Sequence, residues 1–111
     1  RDLWQWRLMI MQPDFVTLEL VEKAISSLKE KGDNPALPKL VFRTLHEGLC
    51  VQIMHMGPYA TESDTIAKIV KYMEENELVE KGVHHEIYLS DPRRTAPEKT
   101  KTVLRQPVKH K

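Results

Sequence analysis

Three chemically capable side chains fall at alternate positions in the stretch 83–90: His84, Glu86 and Tyr88. Alternate residues of a β-strand share a face. On this reading Ile87 and Leu89 take the other face and pack against a helix. An imidazole, a carboxylate and a phenol then stand in a row on the open side. A carboxylate in a partly dry groove holds a cationic ligand, and loss of water raises its pKa towards general acid–base work. The plainer reading makes Glu86 a solvent-facing acid paired with Arg105 or Lys101 on the following strand.

Other residues could serve the same groove. Trp4 and Trp6 are the only tryptophans. On one strand face they would wall a pocket for flat molecules and attract cations, or simply pack in a core. Tyr59 precedes a helix and either closes the groove or packs beside it. His55, within Met54-His55-Met56, is read first as a hydrogen-bonded structural histidine and second as a ligand contact. Of the run His84-His85-Glu86, only His84 and Glu86 can converge, because neighbours on a strand point oppositely. Two ligands make a poor metal site, so no metal is expected. The sequence has no glycine-rich phosphate loop, nucleophile elbow or HExxH motif, and no cofactor is expected.

These residues need elements to hold them. The stretch 3–12 alternates with Trp4, Trp6, Leu8 and Ile10 on one face and reads as a strand. Thr17 is placed to cap a helix carrying the stripe Val21, Ala24, Ile25 and Leu28, with Gly32 as its stop. Residues 33–38 read as loop. The stretches 39–46 and 49–57 read as a hairpin turning at Glu47-Gly48. Thr61 and Asp64 are spaced as a capping box for a second helix, reaching about Leu78. Strands at 83–90 and 101–108 flank a polar loop opened by Asp91-Pro92. There is also an internal echo. Met11-Gln12-Pro13, Phe15 and Thr17 match Met56-Gly57-Pro58, Tyr59 and Thr61 as proline turn, aromatic and threonine cap. It hints at a duplicated strand–helix–strand–strand unit with a groove between copies.

The bulk numbers agree with an α+β globular domain. The chain has 111 residues, 41% hydrophobic and 30% charged, with a net charge of +1. That balance gives no global pull towards nucleic acid or anionic membrane. Arg105, Lys109, His110 and Lys111 read as a solvated tail. One cysteine, Cys50, rules out a disulfide framework and fits a reducing, cytoplasmic setting. It is read as a small buried hydrophobe. No run is long and apolar enough to span a bilayer. The opening Arg1-Asp2 leads directly into Leu3-Trp4-Gln5-Trp6 and reads as the inside of a domain.

The stretches VQIMHMGPY (51–59) and GVHHEIYLSDPRRTAPEKTKTVLRQPV (82–108) resemble the C-terminal part of GyrI-like (gyrase-inhibitor-like) small-molecule-binding domains. WQWRLMIMQPDFVT (4–17) resembles the middle of the stand-alone bacterial members. The resemblance implies a duplicated strand–helix–strand–strand fold with a ligand groove at its pseudo-twofold axis. It makes residues 50–108 a complete second unit and 1–49 the remainder of an incomplete first one. It further implies a binding domain for bulky, planar, often cationic compounds. The alternatives are a hydrolase opening the cyclopropane ring of DNA-alkylating natural products, or a gyrase-inhibiting interaction module. Glu86 matches the family's ligand-facing glutamate. Tyr59, Tyr88, Trp4 and Trp6 follow as wall residues, and His55 as a further ligand-site residue. In the hydrolase alternative Glu86 is the base, and Tyr59 or Tyr88 orients the substrate. The expected partners are a small molecule and a second copy covering the missing half, with no direct nucleic-acid or membrane contact.

Overall fold

The computed structural model describes residues 5–111. The chain divides into two compact units, the first ending at Thr44 and the second spanning Leu45–Lys111.

In the first unit, helix α1 spans Leu18–Glu30. Thr17 caps it as its sequence implies, its hydroxyl accepting from the Leu20 N–H at 3.3 Å. Gly32 follows with φ +128°, which favours glycine and turns the chain away from the helix. A short 3-10 turn, Leu37–Lys39, buries Leu37. No residue of α1 is buried. Among the described residues the expected strands at 3–12 and 39–46 are not formed: residues 5–12 and 40–46 belong to no strand, and so the hairpin at Glu47-Gly48 is absent, while residues 3 and 4 of the first stretch lie outside the described residues. Alternation supplies a face, but a strand also needs a partner for its N–H and C=O groups. Neither segment joins a sheet among the described residues.

The second unit is an open antiparallel sheet with one helix across it. Its elements are β1 (Cys50–Met56), α2 (Glu62–Glu75), β2 (Leu78–Glu80), β3 (His85–Tyr88) and β4 (Lys101–His110). β4 is the central strand. β1 lies along one side of it, from Cys50 opposite Pro107 to Met56 opposite Lys101. β3 and β2 share its other side, pairing with Thr102–Arg105 and Val108–His110 respectively. Lys109 and His110 are therefore strand residues opposite Val79 and Leu78 rather than a loose tail, and their side chains are exposed.

The helix α2 stops at Glu75, short of the expected Leu78. Asn76 turns its side-chain amide back to the Tyr72 carbonyl at 2.8 Å, and Glu77 takes a left-handed φ of +53°. That reversal frees Leu78 to open β2, an element absent from the sequence reading. The capping box also fails to form. Thr61 makes no side-chain cap bond and gives its hydroxyl to the Pro58 carbonyl instead, at 2.9 Å.

The core is small. Ile69 and Met73 of α2 meet Leu104 and Val108 of β4, flanked by Val51, Ile53 and Leu78. Leu104 is fully buried, and truncating it to alanine costs about 2–5 kcal/mol by the usual scale. Residues directly opposite in a ladder share a face, so the register decides which side of β3 looks towards α2. Glu86 lies opposite Leu104 and Tyr88 opposite Thr102. Both are therefore on the helix-packed face. Ile87, opposite Val103, is on the other face, and Leu89 is more than half exposed. The expected assignment of faces is thus reversed. α2 packs chiefly over β1 and β2. Polar residues can occupy the same side of β3 because the helix leaves that edge open.

Candidate functional site

Residues from two places meet beside the N-terminal end of α2. The first is the turn after β1. Gly57, with φ +124°, donates its N–H to the Thr100 carbonyl at 2.8 Å and so ties the end of β1 to the start of β4. Pro58 follows, and a 3-10 turn spans Tyr59–Thr61. The second is β3. The rings of Tyr59 and Tyr88 meet edge to face, with centroids 5.8 Å apart and planes at 84°. With Pro92 they line an apolar hollow of about 280 Å³.

Acids border this aromatic ledge. Glu86, its side chain 19% exposed, lies 3.6 Å from His84 Nε2. Glu62 opens α2 and is buried. Burial pushes the Tyr88 phenol above its ordinary pKa, and the negative charges of Glu86 and then Glu62 push it further, with a smaller contribution from Tyr59. The phenol therefore stays protonated and remains a hydrogen-bond donor at neutral pH. A half-exposed aromatic pair beside two carboxylates attracts organic cations by ring quadrupole and charge together. Sequence reasoning missed Glu62. The signal is present, as an acid three residues after Tyr59 at a helix start, but the capping-box spacing points to Asp64 instead.

Trp4 lies outside the described residues. Trp6 belongs to the first unit and is 65% exposed. His55 is buried, with both ring nitrogens engaged: Nδ1 lies 2.7 Å from Thr65 Oγ1, and Nε2 lies 3.0 Å from the Pro58 carbonyl. It has no nitrogen left to offer a ligand.

The reverse face of the sheet carries a separate charged cluster. Glu47, just before β1, accepts from Arg105 and meets His85 Nδ1, each at 3.0 Å. Arg105 also donates to the Gln52 side chain at 2.9 Å. Burial alone would raise the Glu47 carboxyl, but hydrogen bonds from Arg105 and His85, with their charges, outweigh it and hold it below the usual carboxylate range. Arg105 is thus committed to Glu47 and is not the partner of Glu86 in the plainer reading. Burial, with the Glu47 charge, pushes the nearby Cys50 thiol up against a smaller opposing effect of Arg105, so it stays protonated. Among the described residues no three His, Cys, Asp or Glu side chains group to hold a metal ion. No described helix is long and apolar enough to cross a membrane.

Comparison with known proteins gives the geometry a family. The model of the GyrI-like small molecule binding domain matches residues 11–109. An uncharacterized conserved protein from Listeria innocua is 44% identical, with a TM-score of 0.79 over 88% of this chain and 50% of its own. A Listeria innocua protein described as a hydrolase is 42% identical, with a TM-score of 0.76 over 88% of this chain and 52% of its own. The chain therefore spans about half the length of these solved relatives. No curated protein matches it.

Proposed function

Because the chain belongs to the family of GyrI-like small molecule binding domains, we propose that it binds bulky, planar, cationic organic molecules on the Tyr59–Tyr88 ledge. The observation that carries this reading is the edge-to-face tyrosine pair beside Glu86 and Glu62. The rings offer flat apolar area, and the carboxylates supply the charge that selects cations over neutral molecules of equal size. Titration with ethidium, a planar fluorescent cation, tests it. Glu86→Gln keeps the shape and removes the charge. Affinity should fall about tenfold, the equivalent of roughly 1.4 kcal/mol. Equal affinity in the variant ends the electrostatic part of the proposal.

A second reading is favoured by the relative described as a hydrolase. In it the substrate is a cyclopropane-bearing alkylating natural product. Glu86 takes a proton from water, and the hydroxide attacks a ring carbon. The strained C–C bond breaks, with its electron pair passing into a conjugated carbonyl. The Tyr88 or Tyr59 hydroxyl donates to that carbonyl. Ring strain keeps the barrier modest, so positioning and one base suffice. Mass spectrometry separates the two readings. A water adduct formed over many turnovers supports hydrolysis, whereas stoichiometric retention of unchanged ligand supports binding alone.

Self-association belongs to the same reading. Among the described residues β1 pairs only with β4, so the N–H and C=O groups on its outer side are available to a second copy. Sedimentation should show a mass that rises to the dimer with concentration. A monomer throughout rejects this pairing.

A further inference from the structure

His55 sits where β1, the turn after it and α2 converge, and it is only 4% exposed. Its Nε2 lies 3.0 Å from the Pro58 carbonyl oxygen. A carbonyl oxygen only accepts, so Nε2 must carry a proton. The Thr61 hydroxyl donates to the same carbonyl at 2.9 Å. Its oxygen, 3.3 Å from Nε2, is left to accept a share of the imidazole N–H. On the other side of the ring, Nδ1 lies 2.7 Å from Thr65 Oγ1. A bare Nδ1 accepts the Thr65 proton there. The neutral ring protonated at Nε2 thus matches each of these donors with an acceptor.

The two turn residues that His55 holds, Pro58 and Thr61, bracket Tyr59. Thr65 lies one turn into α2, beyond Glu62. The imidazole therefore fixes the segment that carries one wall and one acid of the site, while the hollow itself is lined by Tyr59, Tyr88 and Pro92.

We propose that His55 is the positioning residue of the aromatic site: through its Nε2–H tautomer it locks the turn 58–61 onto β1 and α2, and so sets the Tyr59 ring against Tyr88. Its place in function rests on the binding reading above, but the geometric part needs no ligand. The net gain from a single buried hydrogen bond is small against the stability of a folded sheet. Losing the group should therefore loosen the turn and leave the sheet folded.

The test has two stages. In the free wild-type protein, long-range ¹H–¹⁵N correlation of the imidazoles should show His55 protonated at Nε2 and bare at Nδ1. The opposite tautomer overturns the proposal. His55→Leu then removes both bonds at similar bulk. His55→Gln can restore them, its amide N–H₂ donating to Pro58 and its amide oxygen accepting from Thr65. The Tyr59–Tyr88 inter-ring NOE should vanish in the leucine variant and return in the glutamine variant. Ethidium affinity should fall about tenfold and recover to within about threefold of wild type. If the leucine variant does not fold, Thr65→Val deletes only the Nδ1 partner and should weaken the same NOE. A folded His55→Leu or Thr65→Val protein with the ring contact intact overturns the proposal, as does a glutamine variant that rescues nothing. Failure of the wild type to bind ethidium would count against the binding reading alone, since the tautomer and the NOE judge the positioning role without it.

Discussion

Glu47 and Glu86 show how two acids of one sheet come to different work. Glu47 lies on the reverse face, held by Arg105 and His85. Its carboxyl titrates below the ordinary value of 4.5 in the folded state. A lowered folded pKa contributes stability above the unfolded value, and this is lost as pH falls through the folded one. Acid titration should therefore destabilise the wild type below about pH 4.5, and Glu47→Gln should flatten that limb. At neutral pH the variant should lose about 2 kcal/mol, the scale of hydrogen bonds to a charged group. Urea midpoints measured from about pH 6 to about pH 3 check both. A variant with the wild-type acid limb would show that Glu47 is not the group responsible. Glu86 itself was legible as a chemically interesting acid on an alternating strand. Its neighbours were not. Arg105 looked like its partner by proximity in sequence pattern, yet the register places Arg105 opposite His85. A shift of one residue flips every side chain to the other face, and alternation alone does not fix that choice.

At the scale of elements, the sequence conveyed local structure better than pairing. α1 and α2 were visible from their stripes, and Thr17 from its place as a cap. β1 and β3 fall inside the stretches read as strands, and β4 covers 101–108 and runs on to His110. The internal echo has a physical counterpart: Val16 N–H donates to the Pro13 carbonyl at 3.0 Å, and Thr61 N–H to that of Pro58 at 3.1 Å. The two turns then diverge. Thr17 is free to cap α1, whereas Thr61 falls one position nearer its proline and is drawn into the His55 bonds. The misses share one cause. The stretches 3–12 and 39–46 carry strand-like alternation, but their fate depends on a partner elsewhere in the chain. β2 is three residues long and is created by the left-handed Glu77. Neither pattern nor propensity marks it.

For the whole molecule, the division into two units gives a spectroscopic handle. Both tryptophans, Trp4 and Trp6, fall before Thr44, and all three tyrosines, Tyr59, Tyr72 and Tyr88, fall after Leu45. The first unit buries no residue of its helix, and isolated helices of such length are marginal in water. The second has a contiguous core. Tryptophan fluorescence should therefore change at lower urea than tyrosine absorbance, by about 1 M or more. Coincident transitions would show instead that the units unfold as one.

The central place of β4 has a consequence for how the molecule is made. β1, β2 and β3 each pair with β4, and no two of them pair with each other. All three precede it in the chain. During synthesis the ribosome therefore releases three strands before Lys101–His110, their partner among the described residues, emerges. The sheet cannot grow hairpin by hairpin. It must assemble once Lys101–His110 is out, and until then the edges of β1, β2 and β3 are exposed to other chains.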